Sequence, residues 1–200
     1  MPSTEFSPSI STRPVYAELV SRGAAPAIML ADGEGALALL DLAARDASVL
    51  ERAHVMVIPM GTEAGAKLKV LGPPLFHESP SYAACLERFR KALLDARMGT
   101  TLYLAGTEGL IGQAAAEAMA AGLPPEAIQA EHRGSIARRM QCVHCKGITE
   151  NVTTDPFVCS HCGLTLFVRD HYSRRLAAFQ GVCVDAETPG VVPPVQEIQP

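Results

Sequence analysis

Ala27-Ile28-Met29-Leu30-Ala31-Asp32-Gly33-Glu34-Gly35 decides how the first two thirds of the chain are read. Ala27 to Ala31 is an apolar run without alternation, the pattern of a strand covered on both faces. The turn Asp32-Gly33-Glu34-Gly35 stops it. Ala36 to Ala47 then places Leu37, Leu40 and Ala44 at helical spacing. A fully buried strand that feeds a helix belongs in a parallel sheet between layers of helices.

The same alternation continues outward. His54-Val55-Met56-Val57-Ile58 reads as a second strand, stopped by Pro59 and Gly61, and Ala66 to Leu71 as a third. Ser81 to Met98 reads as an amphipathic helix with Leu86, Phe89, Leu93 and Leu94 on one face. Thr100 to Ala105 is a strand; Gly106-Thr107-Glu108-Gly109 turns into a helix over Leu110 to Ala121. Gly122, Pro124 and Pro125 end that helix before a last short strand, Ala127 to Ala130. The expected organisation is a flexible leader (1–13), a doubly wound, Rossmann-like α/β domain with a parallel sheet (14–131), a basic linker with a metal ribbon and a C-terminal helix (132–183), and a Pro-rich tail (184–200).

Charge separates these parts. The 200 residues carry −4 overall, yet residues 132–183 hold seven bases against three acids, and the tail has acids only. An acidic body therefore carries a basic module, and the total gives no case for binding nucleic acid or a membrane. No apolar run is long enough to span a bilayer. Met1 to Arg13 has no signal-peptide pattern. With paired C-x-x-C spacing, six cysteines fit a reducing, cytoplasmic setting better than a disulfide framework.

Cys142-Val-His-Cys145 and Cys159-Ser-His-Cys162-Gly163, separated by thirteen residues, are the sharpest chemical signal. Each pair forms a knuckle whose amides point at the thiolates, and two knuckles complete a tetrahedral site. Zinc is favoured because closed four-thiolate sites supply folding energy to small units. A rubredoxin-like iron site uses the same ligands and stays open as an alternative. His144 and His161 share the third knuckle position, where a solvent-facing polar residue suffices.

Two resemblances add to this reading. Ile28 to Gly35 and Leu102-Tyr-Leu-Ala-Gly-Thr-Glu-Gly-Leu-Ile111 resemble the two nucleotide turns of ferredoxin-reductase-like flavoenzymes. The matches are degenerate: Asp32 and Glu34 bring carboxylates into a phosphate turn, and Leu37 replaces a hydroxyl. Neither the turn at Asp32, Gly33, Glu34 and Gly35 nor that at Gly106, Thr107, Glu108 and Gly109 is therefore expected to hold a cofactor.

Arg133-Gly-Ser-x-Ala-Arg-Arg139, the two cysteine pairs, Arg169-Asp-His-Tyr-Ser-Arg-Arg-Leu176 and Phe179-x-Gly181-Val182 resemble the small subunit of bacterial dimethylamine monooxygenase. The resemblance implies a multi-subunit enzyme that uses NADPH and dioxygen to convert dimethylamine to methylamine and formaldehyde. It places haem on one partner subunit and flavin with iron–sulfur on a reductase partner. This chain itself shows no nucleophile or acid–base pair, so a non-catalytic structural role is expected. An electron-transfer subunit with iron, or a component with residual NAD(P) binding, is the alternative. Arg169, Asp170, His171, Tyr172, Ser173, Arg174, Arg175, Leu176 and Phe179 are expected to form a docking surface, Ser173 to Phe179 as a short helix.

Overall fold

The computed structural model describes residues 12–198, in two compact units. Residues 1–11 of the expected leader and residues 199–200 of the tail lie outside the described residues.

The first unit spans residues 16–137. Its strands are β1 (Ala27–Asp32), β2 (Ala53–Ile58), β3 (Leu75–Glu78), β4 (Thr101–Gly106) and β5 (Ile128–His132). They form one parallel sheet in the order β3-β2-β1-β4-β5, with the direction of winding reversing between β1 and β4. Alternation along β1 feeds two cores. Met29 and Ala31 pack with Val55, Val57 and Tyr103 under helix α1 (Gly35–Arg45) and helix α2 (Ala64–Val70). Ile28 and Leu30 pack with Met56, Leu102 and Leu104 under α3 (Tyr82–Leu94) and α4 (Glu108–Ala120). Both faces are covered, which explains the unbroken apolar runs.

Several expected elements move. Ala66 to Leu71 is not a strand; it lies mostly in α2. Ala66, Leu68 and Val70 alternate as in a strand, but only Leu68 of the three is buried. Ala64, Gly65 and Leu68 make the helical stripe, and Gly65 fits against Val57, where a Cβ would sit 2.8 Å from Cγ1. The actual third strand, β3, follows Pro73-Pro74 and forms the outer edge of the sheet. Helix α3 is capped by the Ser81 hydroxyl and stops at Leu94, short of Met98. Leu94 and Met98 are exposed, so nothing beyond Leu93 extends the buried face.

A strap over residues 16–22 covers the opposite edge, along β5. The Ala17 amide donates to the Ala130 carbonyl, Gln129 exchanges two bonds with the Val20 backbone, and Leu19 donates to the Glu131 carboxylate. Arg133 holds that carboxylate from the other side at 2.7 Å.

The second unit comprises residues 12–15 and 138–198. Its strands are β6 (Arg138–Cys142), β7 (Ile148–Val152), β8 (Thr154–Asp155), β9 (Phe157–Val158), β10 (Thr165–Ser173), β11 (Ala178–Cys183) and β12 (Gln196–Glu197). Five of them form a sheet in the order β7-β6-β11-β10-β9, and β12 pairs with β8. The tail is therefore folded onto this unit as far as Ile198, which is buried with Met140, Val152, Phe157, Leu166 and Phe179. Thr12 bonds to the backbone of Asp170 and Tyr172.

The expected C-terminal helix is absent. β10 runs through Ser173, the chain turns over residues 174–177, and β11 returns with Tyr172 opposite Phe179. Two bonds hold this turn: Leu176 N–H donates to the Ser173 hydroxyl, and Arg139 donates to the Leu176 carbonyl at 2.6 Å. Ala177 takes a positive φ of 51° to complete it.

Candidate metal centre

The two knuckles are near-copies of one another. Cys142 N–H donates to the Gly147 carbonyl as Cys159 N–H does to Leu164; Lys146 N–H returns to Cys142 as Gly163 N–H does to Cys159. The residue after each second cysteine must take a left-handed conformation. Gly163 does so at φ 74° without strain, and Lys146 does so at φ 64° despite its Cβ.

All four sulfurs lie within 4.8 Å of one another, with Cys142–Cys162 at 3.8 Å and Cys145–Cys159 at 3.7 Å. A tetrahedral ion bound at about 2.3 Å to each sulfur sets the edges near 3.8 Å, so the residues present fit a four-thiolate ion. Cys142 and Cys159 are buried, while Cys145 and Cys162 lie nearer the surface.

Charge explains why a cation belongs there. Burial opposes ionisation of Cys159, but amides of Cys162 and His161, with the Cys162 and Cys145 thiols, outweigh it and lower its pKa to about 6. Cys162 accepts an amide hydrogen bond from Leu164, yet burial and its three sulfur neighbours push it up to about 12. One thiolate forms readily and the next charges are resisted; a divalent cation removes that resistance. Four protein ligands leave no open coordination position, so the set can hold an ion or, with iron, pass one electron.

His161 does more than the solvent-facing role expected of it. Its Nε2 lies 2.8 Å from the Ile148 carbonyl, and its ring packs on Gly147, where a Cβ would come within 2.5 Å. The second knuckle thus clamps the loop of the first. His144 is exposed. The sequence signal for the clamp is Gly147, two residues after Cys145.

The expected docking residues do not share one role. Arg169, Asp170, His171, Arg174 and Arg175 are exposed, while Tyr172, Ser173 and Leu176 are half-buried. Phe179 is a correction: only 1% of it is exposed, between the Arg138 guanidinium, 4.6 Å from its ring, and Tyr172 at 4.9 Å. It belongs to the core, because strand pairing turns it inward where a helix would have presented it outward. Asp170 is engaged too, accepting from Arg138 at 2.7 Å.

The two degenerate turns meet at the carboxyl ends of β1 and β4, where parallel α/β domains open a ligand crevice. Asp32 ends β1 and is buried; Glu34 is exposed, so the two carboxylates do not act together. Asp32 accepts from the Thr107 amide at 2.7 Å and the Thr107 hydroxyl at 2.6 Å. Thr107 caps α4, and Glu108 and Gly109, expected in a turn, already lie in that helix. Burial raises the Asp32 pKa, against the Thr107 hydroxyl and amide bonds. Gly35 seats the first turn of α1 on β4 so closely that a Cβ would lie 2.1 Å from the Ala105 carbonyl oxygen.

Residues 8–128 match the family model "Dimethylamine monooxygenase subunit DmmA-like, N-terminal domain", and residues 139–182 match its C-terminal counterpart. The chain belongs to this family. It is also 38% identical over 116 residues to a protein from Ectopseudomonas mendocina (strain ymp) named "Heme-dependent oxidative N-demethylase delta subunit". That match covers 57% of this chain and 66% of the relative, just under two thirds of its length. The family assignment accords with the resemblance carried by the arginine-rich and cysteine motifs. Among the described residues, no helix is long and apolar enough to cross a membrane.

Proposed function

We propose that this chain is a non-catalytic structural subunit of a multi-subunit, haem-dependent N-demethylase that acts on dimethylamine with NADPH and dioxygen. Its partners are then a haem subunit and a flavin/iron–sulfur reductase subunit. Zinc is the ion we assign to Cys142, Cys145, Cys159 and Cys162, where it would tie two knuckles into one ribbon and leave no position for substrate. The observation that carries this reading is the closed sulfur tetrahedron in a chain of this family.

The α/β domain serves in this reading as a shaped scaffold, without a bound nucleotide. Support comes from Asp32, whose carboxylate occupies the donors at the start of α4 that a phosphate would use. A second negative group there would face an uncompensated charge. The exposed arginines 174 and 175 would contact partner carboxylates.

Metal analysis with a visible spectrum of the purified chain tests the assignment. One zinc per chain and no colour are expected; one iron with a thiolate charge-transfer spectrum would establish the electron-transfer reading instead. Calorimetric titration with NADPH is expected to show no binding, and micromolar affinity would overturn the scaffold role.

A further inference from the structure

The two edges of the parallel sheet are treated differently. The strap over residues 16–22 covers β5, whereas β3 has no strand on its outer side among the described residues. Ser79 N–H donates inward to Val57, so by the alternation of a parallel ladder the backbone groups of Phe76 and Glu78 face outward. Such an edge is a template for another strand, and proteins usually protect it with charge or cover.

Here it is bordered by apolar surface. Val70 is 86% exposed, Leu71 52% and Leu75 51%, all within six residues of one another. A shallow cleft lined by Ala43, Ala47, Leu50, Leu71 and Pro74 continues that surface under α1. Lys67 and Lys69 stand exposed on α2 beside it. The exposed acids of this region, Glu63 and Glu78, lie at the carboxyl end of the sheet, away from Val70, Leu71 and Leu75.

We infer that the free edge of β3 binds an extended segment of a partner subunit, one that carries carboxylates beside apolar residues. The inference rests on the subunit reading above and adds which surface docks and what it takes. Apolar side chains of the segment cover Val70, Leu71 and Leu75; its carboxylates meet Lys67 and Lys69; its backbone pairs with Phe76 and Glu78. A second copy of this chain fits less well, because two-fold pairing along β3 brings both lysine pairs to the same face. Pro73-Pro74 limits the added strand to a few residues, which suits one bound segment over open-ended stacking.

The test uses the complex captured through tagged, full-length chain and compares hydrogen exchange in it with exchange in the chain alone. The amides of Phe76 and Glu78 are expected to exchange at least about tenfold more slowly in the complex. Glu78→Pro removes an outward donor without touching the β2 ladder and should weaken assembly about tenfold, with metal content and thermal unfolding unchanged. Lys67→Glu with Lys69→Glu provides a second arm that leaves the backbone alone, and should weaken assembly in a salt-dependent way. Unprotected amides in an assembled complex, with both variants assembling normally, would overturn the inference. Concentration-dependent protection in the chain alone would replace the partner with a second copy and also overturn it. Recovery of the chain without any other subunit would instead refute the subunit reading, and the docking inference with it.

Discussion

Replacing Cys159 by Ser removes the ligand on which the ribbon leans most. Its sulfur is buried, accepts amides from Cys162 and His161, and is the thiol most readily ionised, at about 6. A serine hydroxyl stays neutral there and cannot supply the charge. Structural zinc sites release about 10–16 kcal/mol on binding, so one thiolate of four accounts for roughly 3 kcal/mol. A core as small as that of Met140, Val152, Phe157, Leu166, Phe179 and Ile198 supplies only about 3–5 kcal/mol. The loss therefore approaches the whole stability of the unit. Cys159→Ser should be purified with well under one ion per chain, protease-sensitive between residues 138 and 198, while residues 16–137 keep their own two-sided core. Metal analysis and limited proteolysis with mass mapping read both effects. A variant with full metal content and a protease-resistant ribbon would refute the reasoning.

Gly106→Ala puts a Cβ 1.8 Å from Asp32 Oδ1 at a φ of 129°, and should cost about 3 kcal/mol or more, lowering the melting temperature by about 10 °C. His54 and His77 both have lowered pKa values, chiefly from burial and then from nearby His77 or Arg88 charge. Protons therefore bind the unfolded chain more readily, and stability should fall as pH drops from about 6.5 through the lower folded values. His54→Phe should flatten that slope in urea titrations at pH 5 and pH 8; an unchanged slope would remove His54 as its source. Arg174→Glu with Arg175→Glu should shift the chain out of the complex on a sizing column without altering its metal content; unchanged co-elution would reduce these residues to a solvated face.

The sequence disclosed features whose signal is local. C-x-x-C pairs state their chemistry in four residues, and β1, β2 and β4 are apolar runs because each is covered on both faces. It failed where tertiary placement decides. Ala66, Leu68 and Val70 alternate as a strand does, but the face that matters runs through Ala64, Gly65 and Leu68. β3 sits behind two prolines and carries His77 and Glu78, so an edge strand with one free side looked like loop. Ala177-Ala178 reads as helix, yet Phe179 gains more from lying under Arg138 than a short helix would offer. Nothing local connects Asp32 to Thr107, seventy-five residues later, and their meeting emerged only from the order of strands.

That meeting also bears on fidelity of folding. β1 is apolar at every position except its last, so its pattern alone does not say which residues belong to which core. Shifted by one residue, Met29 and Leu30 would trade faces and both layers would still be filled with apolar side chains. Asp32 removes the ambiguity. Only in the native register does its carboxylate reach the amide and hydroxyl of Thr107; in any other it is buried against apolar neighbours without donors, at a cost of several kcal/mol. The one polar side chain of the central strand, a liability for stability on its own, is what makes a single alignment of the sheet worth more than its neighbours.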